Sequence, residues 1–454
     1  MIPHRDNLHA PEVGERPPEA ASALRKAAWR LIPILSIGYC LAYMDRINIS
    51  FASLRMNADL HFSATAYGLG AGLFFIGYAL CEIPSNLLLL RFGPKRWLAR
   101  IMLTWGLLAV AMMLVRKPAE FYALRLALGI AEAGFFPGVI YYLTLWFPLE
   151  ARARAVSRFY VALPLSSVVM GSLAGWLLGL DGSFGLKGWQ WLFLLEGLPA
   201  VLFSFVILGF LPDSPDRAKW LTAKEKQWLN LQLASDSAHA HLGHRAGVFE
   251  ALVSPKVWLI GLFFFAALFC SYAFNFSEPA ILEAATGLGV GQVGMLVAAL
   301  GVAGAIAMIA GGSSSDRTQE RALHCIVPCC VMAAGYLVAS YGAPGWLVVG
   351  ALGVAFMGQN ALLAPGLAVP TQFLAGRAAA TGVAAMNTIT MFSGFIAPYW
   401  MGVLKDRTGS YWLGLRSLMI PSLLAAATMV ILMRILKRDQ PAVEVEAKLA
   451  GESV

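Results

Sequence analysis

The sequence predicts an all-α membrane protein: twelve transmembrane helices in two six-helix bundles, with both termini in the cytoplasm. Three observations carry this. Of the 454 residues, 58% are hydrophobic and only 13% are charged, roughly half the charged share of a soluble domain. Mean hydropathy is +0.67. The apolar residues gather into runs long enough to cross a bilayer, at about 20 residues each. One long polar stretch, 212–255, divides those runs six and six, the layout of transporters built from internal repeats.

The runs cover residues 27–52, 64–90, 96–115, 119–147, 153–180 and 189–211. After the divide come 256–283, 289–313, 321–342, 345–373, 378–404 and 411–436. The chain therefore reads as a tail (1–26), a bundle (27–211), a linker (212–255), a second bundle (256–437) and a tail (438–454). The first tail is polar and Pro-rich, with no cleavable signal peptide. The linker carries "PDSPDRAKWLTAKEKQW", a turn followed by a short surface helix.

Orientation follows from the basic residues. With the termini inside, cytoplasmic segments hold 25 Lys and Arg against 7 outside, which satisfies the positive-inside rule. The expected location is the inner (plasma) membrane. The net charge of +8 suits membrane orientation better than nucleic-acid binding, because the basic residues lie in short loops between apolar runs. The six cysteines all fall inside apolar runs, without metal or pairing spacing. His239, His241 and His244 cluster in the linker with no Cys or Asp arrangement beside them, so no metal site is expected. No P-loop, HExxH, GxSxG or haem motif occurs, so neither enzyme chemistry nor a cofactor is expected.

Few ionisable residues lie inside the spans, and an unpaired charge at mid-membrane costs at least about 2.5–3.5 kcal/mol. Each is therefore a site candidate. Helix rise puts Asp45 and Arg46 of span one, Tyr78 of span two, and Arg125 and Glu132 of span four in one polar column of the first bundle. A carboxylate in a low-dielectric cavity can take up a proton near neutral pH, and arginine can bind a carboxylate bidentately. That combination suits proton-coupled transport of an anion. Asp45 is expected as a proton carrier or as the partner of Arg125, and Arg46 as the substrate anchor. Glu82, before Pro84-Ser85-Asn86, is expected to act in conformational change. Glu196 and Glu278 are expected near helix ends, in solvent. Asn275, Gln359, Asn360 and Asn387 are polar groups of the second bundle that could face a cavity or pair helices.

These residues carry a family likeness. The fold resembles the major facilitator superfamily. "NLLLLRFGPKRWLAR" is similar to that superfamily's Gly-x-x-x-Asp-Arg-x-Gly-Arg-Lys loop, with Arg91, Gly93, Lys95 and Arg96 matching and Leu90 at the Asp position. "GGSSSDRTQER" keeps Gly312, Asp316 and Arg317 half a chain later. Arg91, Gly93, Arg96, Asp316 and Arg317 are thus expected in gating. "YMDRINISFA", "FFIGYALCEIPSNLLLLRFGPKRW", "RLALGIAEAGFFPGVIYYLTLWFP" and "ARARAVSRF" resemble the anion:cation symporter family, over about 27–436.

That family takes up organic acids such as tartrate, phthalate, hydroxyphenylacetate and sugar acids. The resemblance implies a monomeric proton symporter for a small organic carboxylate, with Arg46 and Tyr78 on the substrate and Asp45, Glu132 and Arg125 in coupling. Gly366-Leu367 and Thr390-Met391 stand where many members have an aromatic pair and Gly-Asn, which favours an aromatic or hydrophobic acid over a polyhydroxy one. An exchanger or exporter on the same fold is the alternative. A membrane sensor is the reading from another class, without a sensor domain to support it.

Overall fold

The computed structural model describes residues 17–242, 254–342, 344–373 and 376–449, and all regular structure among them is helical. Helix α1 runs Pro18–Asp59, α2 Ala64–Phe92, α3 Pro94–Ala111, α4 Pro118–Glu132 and α5 Phe135–Thr144. Then come α6 Leu149–Tyr160, α7 Ala162–Leu178, α8 Gly188–Phe210 and the linker helix α9 Ala223–Leu242. The second half holds α10 Pro255–Asn275, α11 Glu278–Thr286, α12 Val290–Thr318, α13 Leu323–Ala339 and α14 Gly345–Ala361. It ends with α15 Leu363–Ala368, α16 Gly376–Thr408, α17 Trp412–Ser417 and α18 Met419–Leu449.

Ten described segments are long and apolar enough to cross a membrane. They answer to ten of the expected spans. Where the ninth was expected lies α13, an apolar helix of 17 residues, about 25 Å long and short of a bilayer's hydrocarbon core. Where the eleventh was expected lies α16, a helix of 33 residues.

Several expected spans are broken rather than continuous. The fourth divides between α4 and α5 at Gly134, which adopts φ +87°. A Cβ there would also collide with Ser85 Oγ, so only glycine fits. Ser85 Oγ donates to the freed Ala133 carbonyl at 2.6 Å. The seventh span divides at Phe276–Ser277, and Tyr67 Oη donates to the Phe276 carbonyl at 2.8 Å. Irregular backbone at membrane depth persists only where protein satisfies it.

Among the described helices α1 touches α11 across the halves, and the two larger contacts there are α2 with α16 and α7 with α12. Both are tightest toward the end of the molecule remote from the linker, here the far end. There a side chain on Gly68 would strike the Pro398 carbonyl of α16. Small residues let backbones approach in this way. Asp406 adds a polar latch, accepting hydrogen bonds from the Ala64 amide at 3.0 Å and the Thr65 amide at 2.7 Å. It thereby caps the start of α2. The slight burial of its carboxyl works against these bonds, yet they hold it below the ordinary 3.8.

Asp406→Ala is expected to loosen this end. Spin labels at Arg116 and Arg407, measured by pulsed dipolar spectroscopy, should show a longer-distance population enriched about fivefold, at about 1 kcal/mol for the exposed pair of bonds. An unchanged distribution removes the latch role.

The linker is docked on the first half. Glu225 of α9 accepts from Lys26 Nζ at 2.8 and 2.9 Å, from Ser22 Oγ at 2.6 Å and from the Thr222 amide at 2.8 Å. Burial pushes its carboxyl up, but these donors outweigh that and hold it at about 2, against an ordinary 4.5. A depressed folded pKa stabilises above the unfolded value and fades as pH falls through the folded one. The wild-type melting temperature in detergent should therefore drop between about pH 4.5 and 2. Glu225→Gln should start lower at neutral pH and lose less over that window; parallel curves would deny the anchor.

Candidate functional site

Between the halves lies a cavity of about 1000 Å³. Helical periodicity builds its walls. On α1, Tyr39, Tyr43, Arg46 and Ser50 recur every three or four residues and face it. Phe75, Tyr78 and Glu82 of α2 do the same. From the second half come Tyr272, Asn275, Glu278, Gln359, Asn360 and Asn387. The wall is mostly aromatic and aliphatic, with a few polar groups, as ligand sites usually are.

The central polar contact is an ion pair. Arg46 donates from Nε to Glu132 Oε1 at 2.8 Å, with Nη2 at 2.6 Å from the same oxygen. The arginine side chain is one-fifth exposed, to the cavity; the glutamate is 1% exposed. Glu132 Oε2 has no hydrogen-bond partner among the described residues. The Arg46 guanidinium lies 5.0 Å from the Tyr78 ring centroid and 5.5 Å from that of Phe74, within cation–π range. Arg125 approaches Phe74 at 5.0 Å. Phe74 thus touches both arginines. Sequence reading missed Phe74, although its i,i+4 spacing to Tyr78 was visible.

Three expectations need correction. Asp45, Arg125 and Glu132 do not line the cavity; they lie one layer behind it. The reason is angular: successive helical residues turn by about 100°, so Arg46 points inward while Asp45 turns toward α3 and α8. There Asp45 Oδ1 accepts from Asn48 Nδ2 at 3.3 Å, and Trp105 faces it. Second, the ion pair forms with Arg46, not Arg125. Arg125 makes no ion pair within 4.0 Å among the described residues. It sits between the charges of Asp45 and Glu132 and donates to the Ala71 carbonyl at 3.4 Å. Third, Glu196 and Glu278 are not in solvent. They are 7% and 6% exposed. Glu196 lies two turns inside α8, which packs on α1 and α3. Glu278 is turned into the cavity by the break before α11.

The second-half amides all reach the cavity. Gln359 Nε2 donates to Ser271 Oγ at 2.8 Å and its Oε1 accepts from Tyr336 at 3.4 Å. Asn275 donates to Ser271 at 3.4 Å. Asn387 Nδ2 donates to both Glu82 oxygens, at 3.3 and 3.1 Å, crossing from one half to the other.

The motif residues lie nearer the linker end. Gly93 turns the chain at φ +85° between α2 and α3, with Arg91 and Arg96 exposed beside it. Asp316 pairs with Arg321 at 2.6 Å, and Asp316 and Arg317 line the cavity's end. His239 and His241 fall where side chains are not described, and His244 lies outside the described residues.

Two helical lobes around a central cavity that joins charged, aromatic and amide groups define a membrane transporter, not an enzyme. The chain belongs to the Major Facilitator Superfamily, whose model matches residues 35–398. It is 40% identical over 395 residues to a protein of Agrobacterium vitis named "Putative tartrate transporter", covering 87% of this chain and 88% of that one. It is 42% identical over 398 residues to "Putative metabolite transport protein NicT" of Pseudomonas putida, covering 85% and 88%. These relatives agree with an anion:cation symporter-like family. In fold it resembles the crystal structure of a bacterial homologue of the human lysosomal transporter Spinster, with TM-score 0.74, 20% identity and coverage of 94% and 99%.

Proposed function

We propose that this protein imports a small organic carboxylate together with protons, by alternating access across the inner (plasma) membrane. Twelve spans would carry it, with both termini and the linker in the cytoplasm and the far end outside. The observation that carries this reading is the Arg46–Glu132 pair at the cavity wall. A buried charge needs a partner. While Glu132 is ionised it occupies Arg46. A proton on Glu132 cancels that attraction and leaves the guanidinium to the carboxylate of a substrate. Proton and anion then enter the site as a neutral pair, and each raises the affinity for the other.

Asp45 and Arg125, one layer behind, act as a second acid and its counter-charge. Tyr78 and the amides of Asn275, Gln359 and Asn387 contact the substrate. The aromatic wall favours an aromatic acid, and the relatives' names, tartrate among them, favour a small organic acid. The closed far end and the cavity's extension to Asp316 and Arg317 fit a state open toward the cytoplasm. Rocking would then break the Asp406 latch and tighten the Glu82–Asn387 contact, with the loops around Gly93 and Asp316 guiding the two halves.

Uptake of labelled acids into proteoliposomes tests this. Accumulation only when the lumen is more alkaline supports symport. Counterflow that ignores the gradient supports an exchanger instead.

A further inference from the structure

A second cavity, of about 600 Å³, opens between α1, α7 and α8 on the flank of the first half. Its lining is almost wholly apolar, with Met44, Leu165 and Trp176 among the residues. Among its lining residues is Glu196, which is 7% exposed and, among the described residues, has no hydrogen-bond partner on either carboxyl oxygen. Asn48 and Asp45 of α1 face this carboxyl. Cys40 of α1 and the exposed Arg158 of α6 share the cavity. From α3, Trp105 faces Asp45.

Two counts point the same way. The first is of charge. The buried cluster holds two arginines and three carboxyls. Arg46 is paired with Glu132, and Arg125 faces Asp45. Nothing buried is left to balance Glu196. The second is of hydrogen bonds. Among the described residues, Asp45 Oδ2, Asn48 Oδ1, Glu132 Oε2 and both Glu196 oxygens are buried acceptors without a donor, against two unpartnered donors in the cluster, Trp105 Nε1 and Arg125 Nε. A single extra hydrogen, carried by a carboxyl, removes the surplus charge and turns one acceptor into a donor, which narrows the hydrogen-bond shortfall; buried polar groups are satisfied in nearly every native structure.

We propose that Glu196 is a third acid of the proton-coupling system, holding a proton that it shares with Asp45 through the Asn48 amide. In one arrangement Glu196 O–H donates to the amide oxygen while the amide nitrogen donates to ionised Asp45. In the other, the Glu196 O–H bond has broken, an Asp45 O–H bond has formed, and the amide has flipped. Charge and atoms are conserved, and negative charge moves away from Arg125. Glu196 is a positioning residue, since it meets no substrate. The inference rests on the proton-coupled reading above.

Infrared spectroscopy of the reconstituted full chain reads the protonated carboxyl directly. The wild type is expected to show the C=O band of a buried carboxylic acid at neutral pH. Glu196→Gln should remove it, and Asn48→Leu should shift it by deleting its bridge. The same band in all three proteins overturns the proposal, and Asn48→Leu alone decides should the glutamine variant fail to fold. Gradient-driven uptake supplies the second readout. The pH profile of Glu196→Gln should move by at least about half a unit, a shift that a purely structural role would not produce. A wild type that accumulates substrate beside a Glu196→Gln with an unmoved profile sinks this inference alone. A wild type with no gradient-driven accumulation sinks symport, while the infrared band still reports on the proton.

Discussion

Arg46→Ala is expected to abolish uptake of every carboxylate tested. Two losses combine. The substrate loses the one arginine on the cavity wall beside Tyr78. Losing that charge-assisted pair with the substrate carboxylate costs about 3 kcal/mol, roughly 150-fold in affinity. Glu132 is also left buried without its partner, which lowers the stability of the fold. Binding measured by thermal shift and flux in proteoliposomes should fall together.

Arg46→Lys separates charge from geometry. A lysine keeps the charge but offers a single point donor in place of a planar fork. Partial recovery, within about tenfold of the wild type, is expected at the energy of one lost charge-assisted bond. If Arg46→Ala still carries carboxylates at near wild-type rates, the cavity binds its cargo elsewhere and the proposed function fails.

Glu132→Gln should give a split result. The amide can still contact Arg46, but it no longer competes with an anion for the guanidinium. Counterflow of substrate should persist, and its affinity should lose its dependence on pH. Gradient-driven accumulation should vanish, because no proton is exchanged at this position. The sign is explicit. In the wild type, affinity rises as pH falls, since protonation of Glu132 frees Arg46. In the variant the curve is flat. Accumulation that survives Glu132→Gln would move the coupling to Asp45 and Glu196, behind the cavity.

Much of the fold was legible in the chain because lipid imposes a coarse, local rule. Each crossing needs a long apolar run, and that rule located the runs later seen as α1, α2, α8 and α12. Breaks inside runs were harder to read. Gly134 looked like any other glycine in a membrane helix, and only the approach of Ser85 shows why the chain must bend there. Asp406 escaped notice for a similar reason. Its partners, Ala64 and Thr65, lie more than three hundred residues away, and no local pattern links them.

The amino-acid order by itself determined the class of molecule and the short list of ionisable groups held in apolar helices. It could not determine which of those groups meet. Asp45 and Arg46 are neighbours in the chain, yet one faces Asn48 and Trp105 and the other joins Glu132 beside the cavity. Periodicity reports the angle between two side chains on one helix. How that helix is rotated against its neighbours depends on packing along its whole length, through contacts such as α1 on α7 and α8. That rotation alone put Glu196 behind Asp45 and left Arg46 on the cavity wall.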